Sequence, residues 1–370
     1  MRVPRRAGLI SAVVGLAAAG VAAGVAVQRA AVRRSRGGAD PYADEPFGAL
    51  PSDEVKLVAT AEGADLYVEI VDPADGVEVD VDFAGVFDLP PADPTIVFVH
   101  GFCLDMGTFH FQRRELIRRG DHRMVFYDQP GHGRSGALDA GEYHLSALGD
   151  ALRAVIDGTT GGGPVVLVGH SMGGMAIMAL AEQHPDLFTD RVAGVVLIST
   201  SGSLLGGARI GLPALAARFA RPLLPLVRRG ARLTGPVLDR ARLASADLAY
   251  LLTRRYGFGG PRPSPALVSY VERMNSRTSA ETVAGYLRTL STHARHPALA
   301  ALRDVPTLVV VGGRDVITPP EHSEEIVQHL PDAQLVTVPD SGHVVMLEHP
   351  DEVNAALLAF LDRVMPGGAP

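Results

Sequence analysis

Three polar side chains, a serine, an aspartate and a histidine, each follow an apolar segment of this 370-residue chain. Ser171 lies in the Gly-His-Ser-Met-Gly sequence at 169–173, which a β-branched apolar run precedes and a helix-compatible segment follows. This is the context of a nucleophile elbow, a sharp turn between a strand and a helix that exposes the serine hydroxyl. Gly169 and Gly173 are expected to remove side chains where the two backbones crowd, and to tolerate unusual dihedral angles. The pattern predicts Ser171 as a nucleophile.

A serine hydroxyl becomes a good nucleophile only when a base accepts its proton and a third group orients that base. Asp315 ends a polar loop after the apolar run 306–311, and His343 follows a second run at 333–338. Open α/β sheets bind ligands at the carboxyl ends of their strands, where all three side chains would meet. We therefore predict Ser171 as nucleophile, His343 as general base and acid, and Asp315 as the orienting carboxylate.

These assignments have alternatives. Asp315 could instead cap the helix that follows it, a frequent role of aspartate, and Asp304 and Asp340 are rival carboxylates that flank strands less suitably. Most of the 13 histidines are expected to be structural or on the surface. His343 is preferred because the Ser-Gly pair before it allows a tight turn. His170, next to the predicted nucleophile, is expected to pack rather than to transfer protons.

Acyl transfer also requires hydrogen-bond donors directed at the oxygen that becomes negative in the transition state. One expected donor is the backbone N–H of Met172, directly after the serine. The other is expected after the apolar run 95–99, where Gly101 lets the backbone turn and Phe102 presents its N–H. Cys103, the single cysteine, is interpreted as a small buried side chain rather than a second nucleophile.

The segment 131–136 also fits G-x-G-x-x-G, a pattern of dinucleotide-binding loops. Such a loop needs a helix that begins at once and an acidic residue about 20 positions later. Here Pro130 and a polar run indicate a loop, and a helix begins only near Leu145. We therefore expect no dinucleotide site.

The sequence resembles the α/β-hydrolase family through five segments, which occur in the family's order between residues 94 and 365. They are His-Gly-Phe at 100–102, Tyr-Asp-Gln-Pro-Gly-His-Gly-Arg-Ser at 127–135, and the segments 169–173, 312–319 and 342–350. The resemblance implies a mostly parallel central sheet with helices on both faces and a helical lid insertion. It also implies a hydrolase of ester, lipid or related acyl bonds that needs no cofactor and no metal.

Within this family the sequence looks most like carboxylesterases, monoacylglycerol lipase-like enzymes and cofactor-free haloperoxidases. Epoxide hydrolases and haloalkane dehalogenases carry aspartate at the elbow, so Ser171 argues against both. Many relatives carry a tryptophan after His-Gly-Phe; this chain has none, and Phe109 is its expected replacement. A perhydrolase with the same three residues remains open. A non-catalytic binding protein on this fold is a further alternative, against which the complete set of reactive residues argues.

The amino terminus bears on location. Three arginines precede an uncharged run at 7–27, and four more follow within 29–36. The run suits a transmembrane helix, which needs about 20 apolar residues. Arginines directly after it favour an uncleaved, membrane-anchoring helix over a cleaved secretory signal, which remains the alternative. Because both flanks are basic, the positive-inside rule does not choose the sidedness.

The net charge divides unevenly along the chain. Residues 1–36 hold seven arginines and no acid, so the formal charge of −7 becomes −14 for the rest. An acidic body argues against nucleic-acid binding. An acidic segment at 72–93 is predicted as an additional edge strand and loop. The chain is predicted to begin with an N-terminal anchor or signal segment (1–36) and a linker (37–54). The first part of the core (55–200), a helical lid (201–304) and the second part of the core (305–366) follow.

The predicted lid is basic within this acidic protein. Residues 201–262 contain eleven arginines and two aspartates, and leucines alternate with the arginines in an amphipathic pattern. Such helices can lie on an anionic membrane surface or attract an anionic soluble substrate. They can also be ordinary solvated faces that pair with the acidic core. We expect the membrane role, because the anchor and the basic lid occur together. The sequence names neither the natural ester nor the oligomeric state.

Overall fold

The computed structural model describes residues 27–37, 39–73, 94–139, 142–203 and 247–365. Strands and helices are numbered within these ranges. Most of the predicted anchor, most of the predicted edge strand at 72–93 and the lid residues 204–246 lie outside the described residues, and so do most of the lid arginines.

Eight strands form one sheet in the order β1-β2-β4-β3-β5-β6-β7-β8. Their bounds are Glu54–Ala59 (β1), Asp65–Val71 (β2), Thr95–Val99 (β3), Met124–Tyr127 (β4), Val165–His170 (β5), Val192–Ile198 (β6), Thr307–Gly312 (β7) and Gln334–Val338 (β8). Strand β2 is antiparallel to both of its neighbours, whereas β3 to β8 pair in parallel. The predicted mostly parallel sheet is confirmed.

Helices account for most of the remaining described chain. They are 27–36 (α1), His110–Arg119 (α2), Leu145–Thr159 (α3), Met172–Gln183 (α4), Pro185–Asp190 (α5), 247–257 (α6), Pro265–Arg277 (α7), Ala280–Leu290 (α8), Pro320–His329 (α9), Val345–Glu348 (α10) and Pro350–Val364 (α11). Two 3-10 helices cover Met106–Phe109 and His296–Leu302. The described chain between β6 and β7 is therefore largely helical, as the predicted lid requires.

The central strands are apolar on both faces because helices cover both sides of the sheet. Every residue of β5 is buried. Successive side chains of a strand point to opposite faces. Leu167 accordingly joins the core under α3 and α4, whereas Val166 and Val168 join the core under α2 and α11. Because helices pack on both faces, the carboxyl end of β5 is held in place among the carboxyl ends of the neighbouring parallel strands.

The segment before β1 packs against the domain. On α1, Val32 is buried and Ser35 Oγ lies 3.3 Å from the hydroxyl of Tyr250 on α6. In the predicted linker, Asp40 accepts hydrogen bonds from Ser264 Oγ at 2.6 Å and from the N–H of Ala266 at 2.8 Å. These contacts attach the start of the described chain to the helices that precede β7.

Among the residues that the structure describes, no helix has the length and apolar character needed to cross a membrane. Residues 7–26, which carry nearly all of the predicted anchor, are not among them. Membrane anchoring therefore stays a prediction.

Candidate active site

Ser171 lies at the junction of β5 and α4. Its φ of 52° and ψ of −115° place a non-glycine residue in a conformation that costs energy and persists only when the surroundings enforce it. Its N–H donates to the carbonyl of Ile198 at 2.9 Å, and its carbonyl accepts from Thr200 Oγ1 at 2.7 Å. The end of β6 and the residues just after it thus hold both backbone groups of Ser171 and fix the backbone of the turn.

The glycines of the elbow provide space for the turn. A Cβ on Gly169 would lie 2.6 Å from Ile177 Cδ1, and one on Gly173 would collide with the backbone of Val99. A Cβ on Gly101 would lie 2.7 Å from the ring of His170. The positive φ falls on Ser171 itself and not on Gly169 or Gly173. The requirement at these two glycines is therefore close approach, not an unusual dihedral angle.

The structure brings the three predicted reactive side chains together. Ser171 Oγ lies 2.9 Å from His343 Nε2, and His343 Nδ1 lies 2.8 Å from Asp315 Oδ2. All three residues are buried, with Asp315 only 3% exposed. Asp315 also accepts the backbone N–H groups of Ile317 at 2.8 Å and Thr318 at 3.0 Å through Oδ1. Its carboxylate is therefore both aimed at His343 and hydrogen-bonded from the opposite side.

Thr318, which the sequence indicated only as part of the segment 312–319, also contacts these groups. Its Oγ1 lies 2.8 Å from Asp315 Oδ2, 2.9 Å from the carbonyl of Ser199 and 3.3 Å from His343 Nδ1. A hydroxyl carries one hydrogen, so it donates to one of these two oxygen acceptors at a time. Thr318 is completely buried and packs against the carboxylate that orients the histidine.

His170 packs beneath His343, as expected. Its Nε2 donates to the backbone carbonyl of His343 at 3.0 Å, and the two rings lie 4.9 Å apart. Burial and the neighbouring His343 hold the pKa of His170 well below its usual range. The ring therefore stays neutral and supports the loop of the predicted base.

The two predicted oxyanion donors lie near Ser171, because Met172 directly follows it and Phe102 lines the same cavity. Met172 is the first residue of α4, so its N–H has no acceptor within the helix. Neither this N–H nor that of Phe102 donates to a backbone or side-chain acceptor in the described ranges. The positive end of the α4 dipole also favours a negative charge at this point. Both groups are thus available to a bound oxygen.

Two neutral histidines fix the loop that contains Phe102. His100 donates from Nδ1 to the carbonyl of Gly101 at 2.8 Å, and its Nε2 accepts the N–H of Gln129 at 2.8 Å. His132 accepts the N–H of Cys103 through Nε2 at 3.1 Å. The sequence indicated His132 only as a member of the segment 127–135 and of the rejected dinucleotide pattern, without a role of its own.

A cavity of about 230 Å³ opens beside Ser171. The described residues that line it come from the Phe102 loop, the elbow, the Asp315 and His343 loops and the lid helices. They are Phe102, Leu104, Ser171, Met175, Leu252, Thr253, Tyr256, Gly257, Val271, Asn275, Leu290, Val316, Ile317, His343 and Val344. Phe109 is not one of them, because its ring is buried in the core 5.1 Å from that of Phe98. The expected replacement of the missing tryptophan is therefore a core residue.

In the described part of the chain, the other reactive groups that the sequence singled out do not form a second centre. Burial raises the pKa of the Cys103 thiol to about 12, so it remains protonated. Within the described ranges, no three His, Cys, Asp or Glu side chains are grouped as a metal site would require. The stretch 131–136 forms turns rather than opening a helix, and α3 begins at Leu145.

Known proteins are similar to this chain in sequence and in fold. The alpha/beta hydrolase fold family matches residues 94–350. The sn-1-specific diacylglycerol lipase ABHD11 of Mus musculus is 29% identical over 272 residues, which cover 72% of this chain and 81% of that protein. A non-heme haloperoxidase of Rhodococcus erythropolis is 29% identical over 270 residues, covering 72% of this chain and 92% of the relative.

A solved structure has a similar fold. A thermophilic esterase from Thermogutta terrifontis superposes with a TM-score of 0.63 at 25% identity, covering 84% of this chain and 99% of that esterase. The family match spans more than half of the sequence, and the sheet order and the elbow are both present. The chain therefore belongs to the α/β-hydrolase fold family.

Proposed function

We propose that this protein is a serine hydrolase that cleaves carboxylic esters through an acyl-Ser171 intermediate. The observation that carries the proposal is the continuous contact from Ser171 Oγ through His343 to Asp315, at 2.9 Å and 2.8 Å. This is the arrangement that converts a serine hydroxyl into a nucleophile.

The direction of proton transfer follows from the hydrogen bonds. Asp315 accepts the Nδ1–H of His343, which leaves Nε2 with a lone pair facing Ser171. As Ser171 Oγ attacks the ester carbon, Nε2 takes the hydroxyl proton, and Asp315 stabilises the resulting imidazolium. The carbonyl oxygen becomes negative and is met by the N–H groups of Phe102 and Met172.

The tetrahedral adduct then breaks down to an acyl-enzyme, which water hydrolyses in a second stage. The ester C–O bond breaks, and His343 gives its proton to the departing alcohol, leaving an acyl group on Ser171. A water molecule, deprotonated by the same Nε2, attacks the acyl carbon. Release of the carboxylic acid returns the proton to Ser171.

The cavity supports a small substrate. Its 230 Å³ lies below the roughly 300–1,000 Å³ of typical ligand pockets. Most of its lining is hydrocarbon, so the bound arm of the ester gains mainly from apolar burial. The esterase and the diacylglycerol lipase among the relatives agree with ester chemistry. Esters with short arms are therefore the proposed class.

Hydrolysis of p-nitrophenyl esters with acyl chains from acetyl to hexadecanoyl tests this proposal, with Ser171→Ala as the control. We expect kcat/KM to peak at short chains and Ser171→Ala to be inactive. A peak at long chains would remove the argument from cavity size, and equal activity of Ser171→Ala would exclude the mechanism.

A perhydrolase is the second candidate, because a haloperoxidase is among the relatives. Hydrogen peroxide would replace water in attacking the acyl carbon, giving a peracid and free Ser171. Peracid formed from acetate and peroxide, compared with ester hydrolysis by the same preparation, separates the two activities.

A membrane location is proposed on the uncharged run 7–27 and its flanking arginines. A run of that length suits a membrane-spanning helix. The enzyme would then act on esters close to a membrane, tethered by one N-terminal helix.

A further inference from the structure

Three polar side chains of the described lid helices line the cavity beside Ser171. Among the described lining residues, the polar side chains other than Ser171 and His343 are Thr253 and Tyr256 on α6 and Asn275 on α7. The rest of the described lining is aliphatic, aromatic, thioether or glycine. Polar side chains on the lid helices can contact parts of a substrate other than the reacting ester carbon.

Asn275 and Thr253 contact each other. Asn275 Nδ2 donates to Thr253 Oγ1 at 3.2 Å, while Thr253 is only 8% exposed and Asn275 is half-buried. This bond uses one of the two amide hydrogens. Within the described part of the chain, the other amide hydrogen, the Asn275 Oδ1 and the Thr253 hydroxyl hydrogen have no protein partner.

Such groups stand out in a mostly apolar wall. Ligand pockets place a few polar groups in an apolar lining, where they fix the orientation of the ligand. A carboxamide offers a donor and an acceptor on one plane, and the adjacent hydroxyl adds a second donor. Together they match an oxygen that both accepts and donates, or a carbonyl that accepts twice.

We propose that Asn275 and Thr253 determine specificity by binding a hydroxyl or carbonyl oxygen on the ester arm that enters the cavity. Preferred substrates are then small oxygenated esters rather than plain alkyl esters. This inference rests on the proposed ester hydrolysis and adds to it the chemical class of the substrate arm.

A purely structural role makes a different prediction. The same hydrogen bond joins α6 to α7, so it could serve only to hold the two helices together. Loss of such a bond would lower stability and would change the turnover of all small esters in proportion. Loss of a substrate contact would instead change the ratio between oxygenated and plain esters.

The test uses two matched ester pairs, because either arm of the ester could enter the cavity. The first pair is 2-hydroxyethyl butanoate and propyl butanoate, and the second is p-nitrophenyl 4-oxopentanoate and p-nitrophenyl 4-methylpentanoate. The full-length protein is compared with Asn275→Leu and Thr253→Val, which keep size and remove the polar atoms. Val271→Ala is the control, since Val271 lies one turn earlier on α7 and lines the same cavity.

In one of the two pairs, we expect the kcat/KM ratio of oxygenated to plain ester to fall about tenfold in Asn275→Leu and Thr253→Val, the effect of one lost hydrogen bond. Val271→Ala should leave that ratio unchanged. Unchanged ratios in both polar variants, with wild-type hydrolysis intact, would overturn this inference alone. If the wild type hydrolysed none of the four esters, the proposed function would fall as well.

Discussion

Glu348 Oε2 accepts the backbone N–H of Gly342 at 2.7 Å, directly before His343. The same carboxylate accepts the N–H of Gly259 at 2.9 Å and, through Oε1, that of Gly260 at 2.7 Å. One side chain therefore fixes the loop that presents the histidine and joins it to the segment between α6 and α7. The position of His343 depends on this link.

Replacing Glu348 by Gln should lower both stability and turnover. The amide nitrogen would face backbone N–H groups that now donate to a carboxylate oxygen, so at least one buried donor loses its partner. We expect a loss of about 2 kcal/mol in the free energy of unfolding, measured by urea denaturation, and a lower kcat.

Glu352→Gln is the matched control, because Glu352 is exposed on α11 and makes only a 3.4 Å contact with His349. It should behave as wild type. If Glu348→Gln were equally silent, Glu348 would not position the histidine loop.

Thr318→Val should reduce catalysis while preserving the fold. Valine keeps the shape of threonine but removes the hydroxyl that lies 2.8 Å from Asp315 Oδ2. Loss of a hydrogen bond near a charged group corresponds to a roughly tenfold lower kcat. Thr318→Ser, which restores the hydroxyl, should recover most of the activity. Equal losses in the serine and valine variants would instead indicate a packing role.

Stability at acidic pH should depend on His132. Burial lowers the pKa of this histidine to about 4, so it accepts the N–H of Cys103 as a neutral ring. Between its ordinary pKa of 6.5 and about 4, the unfolded chain binds a proton that the folded protein does not. The stability contribution of His132 is therefore complete above 6.5 and is lost as the pH falls through this window.

Burial raises the pKa of Asp128 to about 7, which has the opposite effect on stability over nearly the same range. A comparison of variants therefore isolates the histidine better than the wild-type curve. His132→Gln keeps an acceptor but does not titrate, so it should lose less stability than wild type when urea midpoints at pH 7.5 and pH 5 are compared. Parallel losses in both proteins would show that His132 stays neutral in the unfolded state or charged in the folded one.

Two truncations separate the anchor from the domain. Deleting residues 1–26 removes the uncharged run but keeps α1, whose Val32 is buried and whose Arg36 lies 4.7 Å from the ring centre of Tyr250. Deleting 1–36 also removes α1 and should lower the free energy of unfolding by about 2 kcal/mol through the lost burial of Val32.

Fractionation of cells that express these chains tests the proposed anchor. The full-length protein should sediment with membranes even after a high-salt wash. The chain that begins at residue 27 keeps only the basic lid, whose attraction to an anionic surface salt screens, so the same wash should release it into the supernatant. If both chains sedimented alike, residues 1–26 would not be the anchor.

The sequence predicted the sheet and the elbow because their signals are local. A strand, a glycine-flanked serine and a helix lie within about twenty residues, and Asp315 and His343 each follow a recognisable strand. The parallel sheet then brings the ends of those strands to one edge. The positions of Ser171, Asp315 and His343 could therefore be predicted from the sequence, because each follows a recognisable strand.

The supporting contacts could not be read in this way. Glu348 and Gly259 are 89 positions apart, and Asn275 and Thr253 lie on separate helices. The first pair meets through the packing of the lid on the core and the second through packing within the lid, and no pattern in the sequence encodes either. Thr318 had a weak local signal, since it stands three residues after Asp315, within reach of that carboxylate.

Labelling by a serine-reactive fluorophosphonate, read by intact mass and peptide mapping, tests the central claim most directly. The wild type should gain one adduct, on Ser171; Ser171→Ala should gain none, and His343→Ala should react more slowly by orders of magnitude, because the three residues act as a unit. Equal labelling of Ser171→Ala, or no labelling of the wild type, would contradict a nucleophilic Ser171 and favour a non-catalytic protein on this fold.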